Sequence, residues 1–335
     1  MNIITFPGLI DMHVHLRDPG QTKKEDFQSA SQAALAGGFV QIFDMPNNVE
    51  PITTLDRLDN KIKLSKKVKN GCRIGFYFGT DGNNIKQFDL VKNKVVGLKL
   101  YLNPTTGNLL VNTNKLENIY RAWSGGVILV HAEDEKIESI IDVVKKTHKP
   151  THICHVSTIV ELCSIIRAKE RGLPITCGVT PHHLFLTQDD LHELGPFGLM
   201  KPELKTKKDQ EFLWENMAYI DTFESDHAPH LREEKESISP PFGVPGLETT
   251  LPLLLTAMNE GRLTISDIID RCYTNPKKIL QLDTDDEAKV LVDVKEEYEI
   301  RNENLKTKCG WSPFHGWKVK GKVRGVFVGG KSVQL

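Results

Sequence analysis

Residues 9–15 read LIDMHVH, a short run of strand-forming residues that closes on two histidines. The theme returns in FVQIFDM (39–45), CRIGFYFG (72–79), VVGLKLYL (95–102), GVILVHAE (126–133), THICHVS (151–157) and PITCGV (174–179). Between several of these lie stretches of helical period, such as DFQSASQAALAGG (26–38) and STIVELCSIIRAKERG (157–172). Strand and helix taking turns at this pace imply parallel βαβ units. Runs that stay apolar throughout fit strands covered on both faces.

The polar residues choose between a closed barrel and an open sheet. His13, His15, Lys99, His131, His155 and Asp226 are each expected at the C-terminal end of a strand. In a barrel those ends converge on one mouth, where such folds keep their chemistry. No G-x-G-x-x-G turn follows the first strand, so a dinucleotide site is not indicated. The expected class is α/β, a TIM-like (β/α)8 barrel over 8–285. Residues 1–7 and 286–335 supply a small appended β element and C-terminal extension, read from KVLVDVKEEYEI (289–300) and the glycine-punctuated GWKVKGKVRGVFVGGKSV (316–333).

The chain has 335 residues, 39% of them hydrophobic, enough for one large core or for two domains. Motif placement favours one. Lysine plus arginine (43) balances aspartate plus glutamate (44), which argues against nucleic-acid or acidic-membrane partners and for a small molecule. No signal peptide and no run of 18 apolar residues is evident, so a cytoplasmic protein is expected. Six scattered cysteines read as reduced, mostly buried thiols.

Histidines two apart on a strand share a face, so His13 and His15 can serve one metal. An H-x-H pair alone is as readily a core or solvated pair, and a lone strand-end histidine is more often structural than a ligand. Four histidines at strand ends of one repeating pattern, with the Asp226 carboxylate, are harder to obtain by accident. Imidazole and carboxylate donors without a cysteine pair favour zinc or a similar borderline divalent ion in an open, catalytic site. Lys99 lies inside an apolar strand, where a free ammonium is costly. It is either a lysine snorkelling to the barrel rim or a neutral amine able to take up CO2 as a carbamate. His152, three residues before His155, is not expected to face inward with it.

The ordered set PGLIDMHVHLRDPG, MPN, GLKLYLN, HAE, HICHVS, TPHHLFL, ESDHAPH and PGLET resembles the dihydroorotases of the amidohydrolase superfamily across about residues 6–330. WENMAYIDTFESDHAPH (214–230) and GLETTLPLLLTAMNEGRL (246–263) look most like the dihydroorotase segment of the eukaryotic multifunctional pyrimidine-synthesis polypeptide, CAD. The resemblance implies interconversion of N-carbamoyl-L-aspartate and dihydroorotate at two Zn2+ ions. His13, His15 and Asp226 would hold one ion, and His131 and His155 the other. Lys99, carboxylated by CO2, would bridge them. Asp226 would also shuttle the proton. Arg17, Asn47 and His230 match positions that grip the substrate carboxylate, and Thr105, Lys201 and Phe242 complete the expected substrate site.

The resemblance further implies a homodimer, with carbamoyl-phosphate synthetase and aspartate transcarbamoylase domains possible neighbours in one polypeptide. Three positions depart from the animal pattern. Lys201 replaces an arginine, Thr106 a phenylalanine of the mobile loop, and Gly178 a glutamate associated with an extra metal beside Cys154, so a third zinc is not expected. A dihydropyrimidinase or allantoinase would share the metal set, and a non-catalytic homologue is the third possibility. HLRDPG, MPN and APH point to an acidic substrate, and no metal ligand is missing.

Overall fold

The computed structural model describes residues 2–107, 109–283 and 287–333. Eight strands form one sheet in which each pairs in parallel with the next: β2 (Leu9–Val14), β3 (Phe39–Asp44), β4 (Arg73–Gly79), β5 (Gly97–Tyr101), β6 (Val127–His131), β7 (Thr151–Ile153), β8 (Ile175–Val179) and β9 (Thr222–Phe223). The sheet curls until its ends meet. Val14 bridges His227 in parallel, and the His15 N–H donates to the His227 carbonyl at 2.7 Å. This is the expected TIM-like barrel, with helices outside and all eight C-terminal ends at one mouth.

Alternation along the strands divides the core. Leu98 and Leu100 of β5 and Ile128 and Val130 of β6 point outward into the layer shared with the helices. Ile10, Met12, Phe43, Tyr77, Val127 and Leu129 fill the barrel's interior. Period 2 alone would turn His13 away from the lumen that Met12 faces. The pairing of β2 with β3 slips between Asp11 and Val14, and beyond that irregularity His13 and His15 share the mouth. Such slips re-aim side chains beside functional sites.

The chain ends build a second, antiparallel sheet in the order β1 (Ile3–Pro7), β10 (Lys289–Glu299), β11 (Lys318–Val328) and β12 (Lys331–Val333). The expected boundary at 285/286 lies outside the described residues. β11 lies so close to the helix Leu247–Asn259 that a Cβ on Gly321 would sit 2.6 Å from the Leu255 Cβ. Between β10 and β11 the chain leaves the sheet. Cys309, Trp311 and Phe314 join Leu186, Met200 and Val244 in a separate apolar cluster, and the Trp311 indole N–H donates to the His230 carbonyl at 2.7 Å. The sequence reading saw only the flanking β pattern. All six cysteines are free thiols, five of them buried. No helix among the described residues is long and apolar enough to cross a membrane.

Candidate active site

His13 and His15 leave β2 toward the mouth and meet Asp226, which lies three residues beyond β9. The Asp226 Oδ1 is 3.3 Å from His13 Nε2 and 3.1 Å from His15 Nε2. Across the mouth, His131 Nδ1 and His155 Nε2 are 2.9 Å apart, and the His13 and His155 rings are 5.2 Å apart between centroids. The strand-end expectation holds for His131 and for His13 and His15, which flank the last residue of β2, and needs correction for the others. Lys99 is the middle residue of β5, and His155 and Asp226 follow the ends of their strands.

Lys99 does not snorkel to the rim. It is fully buried, with Nζ 3.1 Å from the Cys154 Sγ and 5.1 Å from the centre of the Tyr101 ring. Among the described residues no carboxylate lies within 4 Å of its ammonium.

The reading of His152 also needs correction. β7 ends at Ile153, and His155 takes φ +39°, so strand alternation does not separate the two histidines. His152 faces the interior and contacts the Glu224 carboxylate, while His155 faces the mouth.

The donor set fits a divalent metal. His15 Nδ1 donates to Asn47 Oδ1 at 2.7 Å, and His13 Nδ1 donates to Glu224 Oε2 at 3.0 Å. Held this way, both rings present Nε2 to the Asp226 carboxylate, and with those nitrogens unprotonated the array of acceptors is one that a cation satisfies. Donor atoms of His13, His155 and Asp226 all lie within 4.8 Å of one another, and His155 Nδ1 is buried without a hydrogen-bond partner among the described residues. Burial, reinforced by the Lys99 charge, holds His13 well below its ordinary pKa. Burial, with neighbouring His131, does the same for His155, and burial lowers His131. The ligand form, the neutral imidazole, is thus favoured. Burial works to raise the Asp226 carboxyl, but the His15 hydrogen bond and nearby positive groups outweigh it and leave Asp226 below its usual range.

The same cavity is lined by Arg17, Asn47, Tyr101, Thr105, Thr106, Lys201, Ala228, Phe242 and Gly243. Arg17 Nε donates to the Pro229 carbonyl and an Nη lies by His230 Nε2, both at 3.0 Å. Burial brings the guanidinium down to about 10, still charged at neutral pH. Lys201 Nζ sits 4.7 Å over the Phe242 ring and 2.6 Å from Glu203. The loop after β5 closes one side. Asn47 Nδ2 donates to the Thr106 carbonyl at 3.1 Å, and Thr106 Oγ1 donates to the Phe242 carbonyl at 3.0 Å.

Ten of the twelve expected site residues line this cavity. Lys99 lies beneath its floor and His230 behind Arg17, both fully buried. Sequence reasoning missed Tyr101, Glu133 and Glu224. Each lies two positions from a chosen residue, so period 2 along Lys99, His131 and Asp226 was the available signal. Glu133 Oε1 is 3.1 Å from His131 Nε2.

A parallel barrel with histidines and an aspartate at its carboxyl mouth is the architecture of a metal-dependent amidohydrolase, and residues 4–158 match the Amidohydrolase family. The chain is 44% identical to the multifunctional protein CAD of Squalus acanthias, over 98% of this chain and 15% of that protein's length. It is 36% identical to the dihydroorotase of Pyrococcus furiosus, over 98% of this chain and 81% of that one. The chain belongs to the dihydroorotase family. Among solved structures it is similar to an L-hydantoinase (dihydropyrimidinase) of Arthrobacter aurescens, with TM-score 0.93 and 25% identity over 98% of this chain and 85% of that one. It is also similar to the inactive dihydroorotase-like domain of a Chaetomium thermophilum CAD-like multifunctional protein, with TM-score 0.84 and 28% identity over 99% and 95% of the two chains.

Proposed function

We propose that the chain is a dihydroorotase, reversibly cyclising N-carbamoyl-L-aspartate to L-dihydroorotate in pyrimidine biosynthesis. The observation that carries the reading is the buried Arg17 guanidinium, held by Pro229 and His230 in the same cavity as the histidine–aspartate cluster. A desolvated cation with no carboxylate within 4 Å among the described residues calls for a substrate anion. Dihydroorotate carries a ring carboxylate, whereas dihydrouracil and hydantoin do not. Arg17 binds that carboxylate with Asn47 and His230, and Lys201, Thr105 and Phe242 enclose the rest of the ring.

Two zinc ions are the resident metals in this reading. His13, His15 and Asp226 would hold one and His131 and His155 the other, with the carbamate of Lys99 between them. When bound, the pair supplies positive charge that lowers the pKa of water to about 7 and polarises a carbonyl oxygen. Lys99 supports the carbamate: a buried ammonium with no carboxylate within 4 Å among the described residues is costly, and the amine left when its proton passes to water adds to CO2 and releases a second proton, giving an anion. Asp226, ionised at neutral pH, takes the proton of the attacking water on its carboxylate and returns it to the leaving ring nitrogen. In the biosynthetic direction the proton runs the other way.

The matches to multifunctional proteins support a cytoplasmic setting in which carbamoyl-phosphate synthetase and aspartate transcarbamoylase domains share the polypeptide. A homodimer is part of the same proposal. The likeness to a hydantoinase favours one second reading, a cyclic amidohydrolase for uncharged rings.

The test is ring opening of dihydroorotate, dihydrouracil and hydantoin by zinc-loaded protein, with metal counted per chain. Two ions per chain are expected, with preference for dihydroorotate of roughly 10,000-fold, as for a site built around a polar group its rivals lack. Arg17→Met should keep both ions and lose most dihydroorotate turnover. Faster opening of hydantoin or dihydrouracil would install the second reading. Bound metal without turnover of any of the three would leave a non-catalytic domain.

A further inference from the structure

Position 178, where the family resemblance leads one to expect a glutamate, is a glycine, yet the space it faces is not empty. The carboxylate of Glu224, from the end of the neighbouring strand β9, fills it. A Cβ built on Gly178 would lie 1.9 Å from Glu224 Oε1 and 2.6 Å from Thr222 Oγ1. Glu224 is fully buried and fully engaged. Its Oε1 accepts from the Thr222 hydroxyl at 3.1 Å and contacts His152 Nε2, and its Oε2 accepts from His13 Nδ1 at 3.0 Å. His152 is itself fixed by Thr176, whose Oγ1 lies 2.8 Å from Nδ1. A chain of contacts thus runs from Thr176 through His152 and Glu224 to His13, whose Nε2 faces Asp226 at 3.3 Å.

We propose that Glu224 is a positioning residue that holds the His13 ring in one tautomer and orientation with Nε2 toward the mouth, and that residue 178 is glycine because this carboxylate occupies its side-chain space. The inference rests on the metal-site reading above. A carboxylate on the far nitrogen of a ligating imidazole fixes the ring and raises its basicity, and losing such a partner typically weakens metal binding 10- to 100-fold. Donor atoms of His13, Cys154 and Glu224 also lie within 4.8 Å of one another, the arrangement of a possible separate cation site. Here both Glu224 oxygens serve hydrogen bonds instead, and the Cys154 sulfur accepts from Lys99.

The test uses Glu224→Gln, Glu224→Ala, Gly178→Ala and the double variant Gly178→Ala/Glu224→Ala. Zinc affinity is read by chelator competition, kcat and KM are read for dihydroorotate, and the His13 Nδ1–H resonance is read by NMR in metal-free protein. Glu224→Gln should bind zinc roughly 10- to 100-fold more weakly, with kcat falling and KM nearly unchanged. Gly178→Ala should reproduce that loss by displacing the carboxylate. In the Glu224→Ala background it should add little, the non-additivity of groups competing for one space. The resonance should be present in the wild type and absent in Glu224→Ala. That readout needs neither metal nor turnover, so failure of the proposed activity would be told apart from failure of the positioning role. Wild-type zinc affinity and kcat in Glu224→Gln would overturn the proposal. So would a third ion per chain that disappears in Cys154→Ala, because Glu224 would then be a ligand.

Discussion

Three residues of the site, Arg17, His155 and Asp226, hold left-handed backbone with φ of 63°, 39° and 43°. For residues other than glycine this conformation costs on the order of 1–3 kcal/mol each, and it gathers at functional sites when the surrounding structure enforces it. The barrel seam does so for Asp226, since the next residue, His227, accepts from the His15 N–H. The strain makes Asp226→Asn a clean substitution, because asparagine tolerates the left-handed region and keeps an oxygen for the metal while losing the basic carboxylate. We expect an unchanged melting temperature in the metal-free protein and a single-turnover rate lower by roughly 100- to 10,000-fold, the usual contribution of a general acid-base group. A loss under tenfold would assign the proton to another residue.

At the scale of elements, the mouth depends on buried polar ties between strand ends and the helices behind them. The helix Leu55–Ser65 sends Lys61 inward, where it is fully buried. Its Nζ lies 2.8 Å from Asp44 Oδ2 at the end of β3, and it donates to the Met45 carbonyl and Asn48 Oδ1, also at 2.8 Å. Asp44 Oδ1 accepts from the Leu16 N–H at 2.9 Å, one residue before Arg17. The helix, β3 and the exit of β2 are thereby tied at a single carboxylate. Removing one partner of a buried pair strands the other, so Lys61→Met should destabilise the protein by about 3–5 kcal/mol in urea denaturation. Adding Asp44→Asn, which removes the stranded charge, should recover part of that loss. A single-variant cost below about 1 kcal/mol would mean that packing alone holds this corner.

For the whole molecule, gathering so many histidines inside one barrel ties stability to pH. Burial lowers His13, His131, His155, His182, His183 and His230 below the ordinary 6.5, with His182 at about 3 and His183 at about 4. Between about pH 6.5 and 4 the unfolded chain takes up protons that the folded chain refuses, so these groups make stability fall as pH falls. Burial raises Asp11 and Glu248 to about 7 and also raises Asp18 and Glu161. In the same window these carboxyls act in the opposite sense. The six imidazoles outweigh the four carboxyls, and the urea midpoint of metal-free protein should be lower near pH 5 than near pH 7. An equal or higher midpoint near pH 5 would show the carboxyls dominating. The alternation of apolar runs with helical periods, and histidines near the ends of those runs, were enough to read the barrel and the histidine cluster at its mouth, because strand period and helix period are local properties of the chain. Arg17, Asn47, Thr105, Lys201, His230 and Phe242 came from the resemblance to dihydroorotases. Other features depended on neighbours from other strands, distant in sequence. The slip in β2 that turns His13 inward is defined by pairing with β3, and the burial of Lys99 by what closes over it. The early end of β7 lets His152 face the interior while His155 faces the mouth. The Glu224 carboxylate opposite Gly178 is invisible to any reading of either strand alone. Local periodicity determined the fold and the candidate metal ligands, the family motifs pointed to the substrate residues, and only the closed barrel, which makes distant strands compete for the same space, decided how each side chain is aimed and held.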